Sequence, residues 1–309
     1  MSTLDLIFAI LATVILFLYG LSSFSREIQD LGQQRLNDLL GRATRNRLTG
    51  FTLGALFTAM VQSSSAVTSL AVALVDSGVI SFAQSLGVLI GANVGTTATA
   101  WLVSFKLTGI GPFFIVFGAV LSALPGPARV AGKAVFYFGF IFFALDLIST
   151  SLDPLKESEV LPGILVYATA PIIGAIIGAG LTALLQSSSV VTGLAILLVI
   201  QGTIDIQAAV AIIIGSNLGS SVTALIASIP MSPVARRAAR ANLLLNLGGV
   251  LLFLPFTSQL TALATGLSPN PGIAVAFAHL IFNLGVAVVA LPLTPAIARW
   301  LQPRDPKPD

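Results

Sequence analysis

The feature that most restricts the fold of this chain is an internal duplication of its apolar segments. Residues 54–104 align on residues 178–228 without a gap, and 23 of the 51 aligned pairs are identical. The stretch QSSSAVTSL begins at Gln62, and the stretch QSSSVVTGL begins at Gln186. Because a repeat at a fixed offset is the signature of a duplicated structural unit, we expect two equivalent halves that each contain one QSSS motif.

Composition places the chain in a membrane. Hydrophobic residues make up 56% of its 309 residues and charged residues only 9%, whereas a soluble domain carries about 25% charged residues. Apolar runs of roughly 20 residues, enough to span a bilayer, recur along the whole chain. We therefore predict an all-α polytopic membrane protein of the cell (inner) membrane, in contact with the lipid bilayer. The predicted apolar segments are 4–24, 50–76, 79–105, 109–125, 129–149, 163–200, 203–229, 236–257 and 271–301.

Several classes of function are excluded by composition. The chain has no cysteine and one histidine, which leaves no thiolate chemistry, no transition-metal site and no plausible acid/base pair. The net charge of +3 does not come from basic stretches interleaved with aromatics, so nucleic acid is excluded as a partner. We predict a protein that is not an enzyme and has no cofactor.

The region between the first two apolar segments has a different pattern. Residues 25–47 combine leucines at helical spacing with mixed charges, which predicts an amphipathic helix at the membrane interface or a solvated linker helix. Residues 6–21 follow a single acidic residue rather than a basic region. We expect them to form a retained first transmembrane helix rather than a signal peptide.

Topology is not fixed by the distribution of lysine and arginine. Whether each QSSS segment returns to its own side or crosses fully, 13 of the 15 basic residues face the cytoplasm. Two other arguments favour hairpins. The run 163–200 is too long for one span, and hairpins make the halves inverted-topology repeats, as in many secondary transporters. We predict repeats over 1–127 and 128–257, a final transmembrane helix and polar tail over 258–309, an outside N-terminus and a cytoplasmic C-terminus.

The QSSS motifs suit an anion-binding tip. We expect one helix to end near Val61 and another to begin near Ala66, so that the serines lie at a helix N-terminus, where N–H groups and the helix dipole favour anions. An isolated serine in a membrane helix more often bonds its own backbone and aids packing. Four contiguous polar residues, duplicated in two halves, favour function. The candidate substrate-binding residues are Ser63, Ser64, Ser65, Ser187, Ser188 and Ser189.

Each half then carries a second motif, GANVGTTAT at 91–99 and GSNLGSSVT at 215–223. Glycines on both sides of an asparagine permit an unwound turn, so we predict a re-entrant hairpin followed by a broken helix in each half. Thr96, Thr97, Ser220 and Ser221 would cap the breaks. The alternative is that the small residues serve close helix packing.

The pair of QSSS motifs, each followed by a GxNxG-[TS]-[TS]-xT segment, resembles the type II sodium–phosphate cotransporter family. The similarity extends to HLIFN at 279–283, with a looser NLLLN at 242–246. The resemblance implies coupled transport of Na⁺ and inorganic phosphate and a substrate held between the two QSSS tips. It also implies an elevator-like transport domain moving against a scaffold, often in a homodimer. Some bacterial relatives are thought to export phosphate.

Electrostatics supports a sodium requirement. Neither residues 53–104 nor residues 177–228 contain Arg, Lys or His, and burying an unpaired phosphate charge is very costly. We therefore expect the countercharge to arrive from solution as Na⁺, bound by oxygen ligands. The sodium-binding candidates are Gln62, Gln186, Asn93, Asn217, Thr58, Thr182, Thr68, Thr192, Thr96, Thr97, Ser220 and Ser221.

The sequence thus predicts a sodium-coupled phosphate transporter working by alternating access. The alternatives are a carrier of another oxyanion such as arsenate or sulfate, a phosphate exporter, or a Na⁺-conducting channel. Among the other polar residues, Asp76 is predicted at a water-facing turn and Asp146 near a solvated helix end. His279 is predicted as a hydrogen-bonded packing residue rather than a proton relay. A weaker echo relates the residues from Ala239 to those from Ala276, which two similar helices would explain.

Overall fold

The computed structural model describes residues 3–43, 46–105, 109–154 and 170–301, and every regular element within these ranges is helical. The first part of the predicted segment 163–200 and the polar tail lie outside the described residues. The α-helices are α1 Thr3–Ala43, α2 Arg47–Val61, α3 Ser64–Asp76, α4 Phe82–Ser104, α5 Ile110–Ser122, α6 Pro127–Leu152, α7 Pro171–Leu185, α8 Ser188–Ile200, α9 Ile206–Ser228, α10 Pro233–Phe253, α11 Thr257–Leu267 and α12 Pro271–Leu301.

The helices are long and apolar enough for a membrane protein. Six helical stretches could cross a bilayer by length and composition: Leu4–Asp30, Phe82–Ser104, Ala128–Leu152, Ile206–Ser228, Pro233–Leu267 and Pro271–Leu301. The fifth comprises α10 and α11, which are joined by a short 3₁₀ turn at Leu254–Phe256. The predicted all-α polytopic class is confirmed. The separate short helix α11 was not predicted.

The duplicated segments form two matching sets of three helices. Helices α2, α3 and α4 have 15, 13 and 23 residues, and α7, α8 and α9 have the same lengths. At 1.5 Å per residue, the shorter helices reach only about 20–22 Å, less than the roughly 30 Å hydrocarbon core of a bilayer. Neither short helix of a half can therefore span the bilayer alone, and each QSSS motif lies between two of them.

Contacts between helices fix the direction of each segment. Along α4, Gly87 lies against the backbone of Arg47 and Gly95 against that of Ala55, so α2 and α4 run in the same direction. Since α3 connects the end of α2 to the start of α4, it must run back between them. The segment containing Gln62 is therefore the tip of a hairpin whose two ends lie on the same side.

The second half repeats this arrangement. Gly215 lies against the backbone of Ala175, and Gly219 against that of Ala179, so α7 and α9 also run in the same direction and α8 returns between them. The sequence alone did not distinguish hairpins from full crossings. The order of these contacts supports hairpins in both halves.

The two halves run in opposite directions along their long helices. The Thr99 hydroxyl on α4 lies 3.3 Å from the Ser189 hydroxyl on α8, and Val103 lies next to Gly193 one turn further along both helices. Helix α8 is thus parallel to α4, whereas it is antiparallel to α9. The inverted-topology relation of the two halves and their orientation in the membrane stay predictions.

The prediction of a broken helix in each half is wrong. Helices α4 and α9 continue without interruption through both GxNxG motifs. The glycines instead allow close packing: a Cβ added at Gly91 would lie 2.0 Å from the carbonyl oxygen of Phe51, and one at Gly215 would lie 2.0 Å from that of Ala175. The small residues therefore hold α2 against α4 and α7 against α9.

The residues predicted to cap those breaks lie inside continuous helices. Thr96 donates to the carbonyl of Ala92 at 3.0 Å, and Thr97 donates to that of Val94 at 2.7 Å. Ser220 donates to the carbonyl of its own motif asparagine at 2.8 Å. Hydroxyls in mid-helix commonly bond the preceding turn in this way, so these three side chains are not caps.

The region after the first transmembrane segment is helical, as predicted, but it is not separate. Helix α1 runs unbroken for 41 residues, about 60 Å at 1.5 Å per residue. Glu27, on its second half, forms an ion pair with Lys133 of α6 at 3.5 Å. Whether the far end of α1 lies at the membrane interface stays a prediction.

The packing role of the motif glycines can be tested by adding one methyl group. Gly91→Ala and Gly215→Ala should each destabilise the protein by about 1–3 kcal/mol, the usual effect of overpacking, and lower its melting temperature in detergent. Gly180→Ala is the matched control, because nothing lies within 4 Å of a Cβ added there. The melting temperatures are measured by tryptophan fluorescence. Equal values for all three variants would contradict the packing role.

The orientation of the hairpins can be tested by cysteine labelling, since the chain has no native cysteine. Val79→Cys and Thr203→Cys place labels in the equivalent turns after α3 and α8. In the predicted topology the first reacts with an impermeant maleimide from the cytoplasm and the second from outside. Labelling of both from one face would refute the inverted arrangement.

Candidate functional site

The first QSSS motif forms a tight reversal between two helices. Helix α2 ends at Val61, as predicted, and Gln62 adopts a left-handed conformation with φ 57°. Helix α3 then begins at Ser64, two residues earlier than predicted, and the Ser63 hydroxyl caps it by accepting from the N–H of Ala66 at 3.3 Å. The three serines therefore lie at a helix N-terminus.

The second motif has the same local structure. Gln186 has φ 54°, and the Ser187 hydroxyl accepts from the N–H of Val190 at 3.4 Å. Ser188 and Ser189 are buried in the first turn of α8, as Ser64 is in the first turn of α3. Both helix N-termini thus carry hydroxyls and free N–H groups.

The two glutamines occupy a conformation that their residue type disfavours. They are the non-glycine residues with positive φ in the described part of the chain, at a C-cap position usually taken by Gly or Asn. A left-handed conformation costs a residue with a Cβ about 1–2 kcal/mol. Such outliers cluster at functional sites, and here they point to a role for the glutamine side chain.

A chain of polar contacts joins the two hairpins. The Thr99 hydroxyl of α4 donates to Oε1 of Gln62 at 2.8 Å and lies 3.3 Å from the hydroxyl of Ser189. The amide nitrogen of Gln62 donates back to the carbonyl of Ala59. The tip of the first half is therefore connected to α8 of the second half through Thr99 of α4, which brings residues of both QSSS motifs close together.

The two halves of this site are not equivalent. Gln62 is 6% exposed, whereas Gln186 is exposed. The hydroxyl of Thr223, which the repeat aligns on Thr99, is buried without a hydrogen-bond partner in the described part of the chain. The contact formed at the first tip is thus absent at the second.

A cavity of about 290 Å³ lies between the tips and α1. One wall consists of Gln62, Ser63, Leu185, Gln186 and Ser187. The opposite wall is a face of α1 that includes Ser22, Ser25, Arg26 and Gln29. Its volume is close to the lower end of the range for small-molecule sites, and its lining residues carry hydroxyl, amide and guanidinium groups.

Arg26 corrects the electrostatic argument made from the sequence. The motif segments contain no basic residue, but the fold brings this arginine from 36 positions before Gln62 to the cavity that the tips line. The expectation that the countercharge arrives from solution as Na⁺ stays a prediction, and Arg26 adds a fixed positive charge that it did not include. Arg26 lies outside the two repeated segments, so their motifs give no indication of its position at the cavity.

Several predicted sodium ligands are buried hydroxyls that lack a partner. Thr58 and Thr182 occupy equivalent positions near the two tips and are fully buried, and Thr192 on α8 is fully buried too. None of these three hydroxyls has a hydrogen-bond partner in the described residues. Thr68, aligned on Thr192, is also buried. An unsatisfied buried hydroxyl costs about 1–3 kcal/mol, so these oxygens are available to a further ligand.

The motif asparagines lie in a separate polar layer rather than in the cavity wall. Asn93 donates to Oδ1 of Asn246 at 2.6 Å, and Asn217 donates to Oδ1 of Asn283 at 2.7 Å. Asn246 also donates to the hydroxyl of Ser221 at 2.8 Å. Asn246 and Asn283 were not predicted as site residues, although the weak repeat that relates the residues from Ala239 to those from Ala276 aligns them.

The remaining polar candidates serve other positions. Asp76 is exposed, as predicted, and its carboxylate accepts from the N–H of Ser232 at the start of α10 at 2.7 Å. Asp146 is also exposed. His279 is buried as a packing residue, at 1% exposed, but neither ring nitrogen has a hydrogen-bond partner in the described residues, so the predicted hydrogen bonding is wrong. The described residues contain no group of three His, Asp or Glu side chains arranged to hold a metal ion.

Comparison with known proteins gives consistent results. The family model described as Na⁺/Pi-cotransporter matches residues 16–150 and 152–290. The chain is 30% identical over 286 residues to the uncharacterised protein YqeW of Bacillus subtilis, covering 92% of this chain and 93% of that protein. It is 30% identical over 294 residues to YjbB of Escherichia coli, a proposed inorganic phosphate export protein, covering 94% of this chain but about half (54%) of YjbB.

A shorter match connects the chain to an animal protein. It is 42% identical over 82 residues to sodium-dependent phosphate transport protein 2C of mouse, covering 25% of this chain and 14% of that protein. No solved structure matches the chain. The family match covers both repeats of a multi-pass membrane protein, so this chain belongs to the Na⁺/Pi-cotransporter family.

Proposed function

We propose that the protein is a sodium-coupled secondary transporter of inorganic phosphate. The observation that carries this proposal is the meeting of both QSSS tips at one cavity, with Gln62, Thr99 and Ser189 in contact. The family membership and the sodium-dependent phosphate transport protein among its relatives support the same substrate and ion. Access to the cavity alternates between the two sides of the membrane.

Phosphate binds at the N-termini of α3 and α8. The hydroxyls of Ser63 and Ser187 accept backbone N–H groups as caps, and each can still donate its own proton to an anion. Ser64, Ser65, Ser188 and Ser189 follow in the first turns, where the free N–H groups and the helix dipole favour negative charge. The two tips together surround one oxyanion.

Sodium binds to oxygen atoms close to the tips. The unpartnered hydroxyls of Thr58, Thr182 and Thr192 are the strongest candidates, with the side-chain oxygens of the two tip glutamines. Hard cations prefer oxygen ligands of this kind. Because HPO₄²⁻ carries two negative charges, even a fixed arginine leaves one charge to be neutralised, and Na⁺ provides it.

The direction of phosphate transport depends on the gradients across the membrane, and the oligomeric state depends on surfaces outside this site. A symporter moves its substrate along the summed gradients, so the same site serves uptake or export, and the name of YjbB favours export as the second candidate. A carrier of arsenate or sulfate would use the same hydroxyls. Homodimerisation and an elevator movement are part of the proposal from family resemblance.

Sodium coupling is tested by radiolabelled phosphate flux in proteoliposomes. We expect saturable flux with a sodium gradient and almost none when choline replaces sodium, because the desolvated anion lacks its full countercharge. Phosphate should tighten sodium binding by the same factor that sodium tightens phosphate binding. Equal flux in both buffers would refute coupling, and flux that does not saturate would indicate a channel.

The role of the tip glutamines is tested by replacing each with glycine. Gln186→Gly removes the side chain but suits the left-handed conformation, so it should raise the stability by about 1 kcal/mol and still abolish transport. Gln62→Gly should abolish transport as well, with less gain in stability because its bond to Thr99 is lost. About half of the normal flux in either variant would indicate two independent pathways and contradict a shared site.

A further inference from the structure

One face of α1 forms a graded wall of the cavity. Leu18 and Leu21 line its apolar part, and the cavity residues Ser22, Ser25, Arg26 and Gln29 continue along the helix. Their spacing of three and four residues places them on one face. The amide of Gln29 donates to the Ser25 hydroxyl at 3.0 Å. Arg26 is the charged residue of this wall.

Two acidic residues, Glu27 and Asp30, lie within about one helical turn of Arg26 on α1. The adjacent Glu27 forms its ion pair with Lys133 of α6 at 3.5 Å. No salt bridge involves Arg26 among the described residues. The described residues that line the cavity include no Asp or Glu, so Arg26 is the charged residue among their hydroxyl, amide and apolar side chains.

We propose that Arg26 is the fixed anion-binding residue of this transporter and contacts phosphate held between the tips. This inference rests on the proposed function. A guanidinium presents a planar pair of donors that matches two phosphate oxygens, and the hydroxyls of Ser63 and Ser187 lie on the opposite wall of the same cavity. Phosphate is thus bound between an arginine of α1 and two helix N-termini.

This arrangement divides the countercharge between protein and solution. Arg26 is exposed at the cavity, so it can bind hydrated phosphate weakly before sodium arrives. Gln62 and the threonine hydroxyls near the tips are buried, so closer approach with loss of water requires the sodium ions. Phosphate binding therefore has a weak sodium-independent component and a strong sodium-dependent one.

The test is calorimetric titration of inorganic phosphate into purified protein, in sodium chloride and in choline chloride at equal ionic strength. Arg26→Gln should weaken binding in sodium by about 10- to 100-fold, the usual contribution of a charge-assisted hydrogen-bond pair. It should also abolish the weak binding in choline. Arg26→Lys keeps the charge but loses the planar fork, and its affinity should lie between the two.

Arg129→Gln is the matched control, because it removes the same charge from an exposed position on α6 that does not line the cavity. It should bind phosphate like the wild type. The effect of Arg26→Gln should persist at about 0.3 M salt, where attraction over more than a few ångströms is screened. Melting temperatures show whether each variant is folded. If Arg26→Gln is not folded, the affinity of Arg26→Lys is used to test the contact.

The outcomes separate this inference from the proposed function. If the wild type does not bind phosphate in sodium, the proposed function fails and the role of Arg26 fails with it. If the wild type binds and Arg26→Gln binds equally well in sodium and in choline, Arg26 is not a ligand, although the function stands. Equal weakening by Arg26→Gln and Arg129→Gln would also overturn the contact, because it would reflect only the general surface charge.

Discussion

The structure depends on how the chain reverses at two points inside an apolar environment. Non-helical backbone at membrane depth is tolerated only where it is buried in protein or lines a wet cavity, and both tips meet this condition. The N–H of Gln62 bonds the carbonyl of Thr58 at 2.8 Å, and Ser63 and Ser187 cap the returning helices. The first N–H groups beyond these caps remain available. The caps that stabilise the tips therefore leave N–H groups at the position where we propose that the anion binds.

The glycines of the long helices hold the tips in place. Gly91 and Gly215 let α2 and α7 approach within backbone contact of α4 and α9, and this fixes the position of each tip relative to the long helix beside it. In the first half the result is the hydrogen bond between Gln62 and Thr99. The GxNxG motif thus acts through close packing and not by unwinding. Its asparagine also forms a hydrogen bond to α10 in the first half and to α12 in the second.

The parts that the sequence predicted are those that local patterns and the repeat determine. The duplication follows from the aligned repeat. The end of α2 at Val61 and the hairpin tips follow from the polar QSSS residues that interrupt apolar segments. The broken helix was wrong because glycine permits either unwinding or close packing, and only the neighbouring helix decides which occurs. Arg26 and Asn246 were missed because their partners are distant in sequence, and no local pattern indicates such contacts.

The inequality of the two tips has an energetic consequence. The motifs are nearly identical in sequence, yet Gln62 is bonded to Thr99 while Gln186 is exposed and Thr223 has a buried hydroxyl without a partner in the described residues. A lost hydrogen bond of this kind costs about 1–3 kcal/mol. Because the two tips are nearly identical in sequence but differ in hydrogen bonding, they cannot both have their most favourable local free energy. The packing of the whole chain therefore imposes the state with fewer hydrogen bonds on the second tip. A difference of this size is within what a ligand's differential affinity can reverse. In the proposed function, phosphate and sodium bound between the tips could therefore reverse this difference between the two halves.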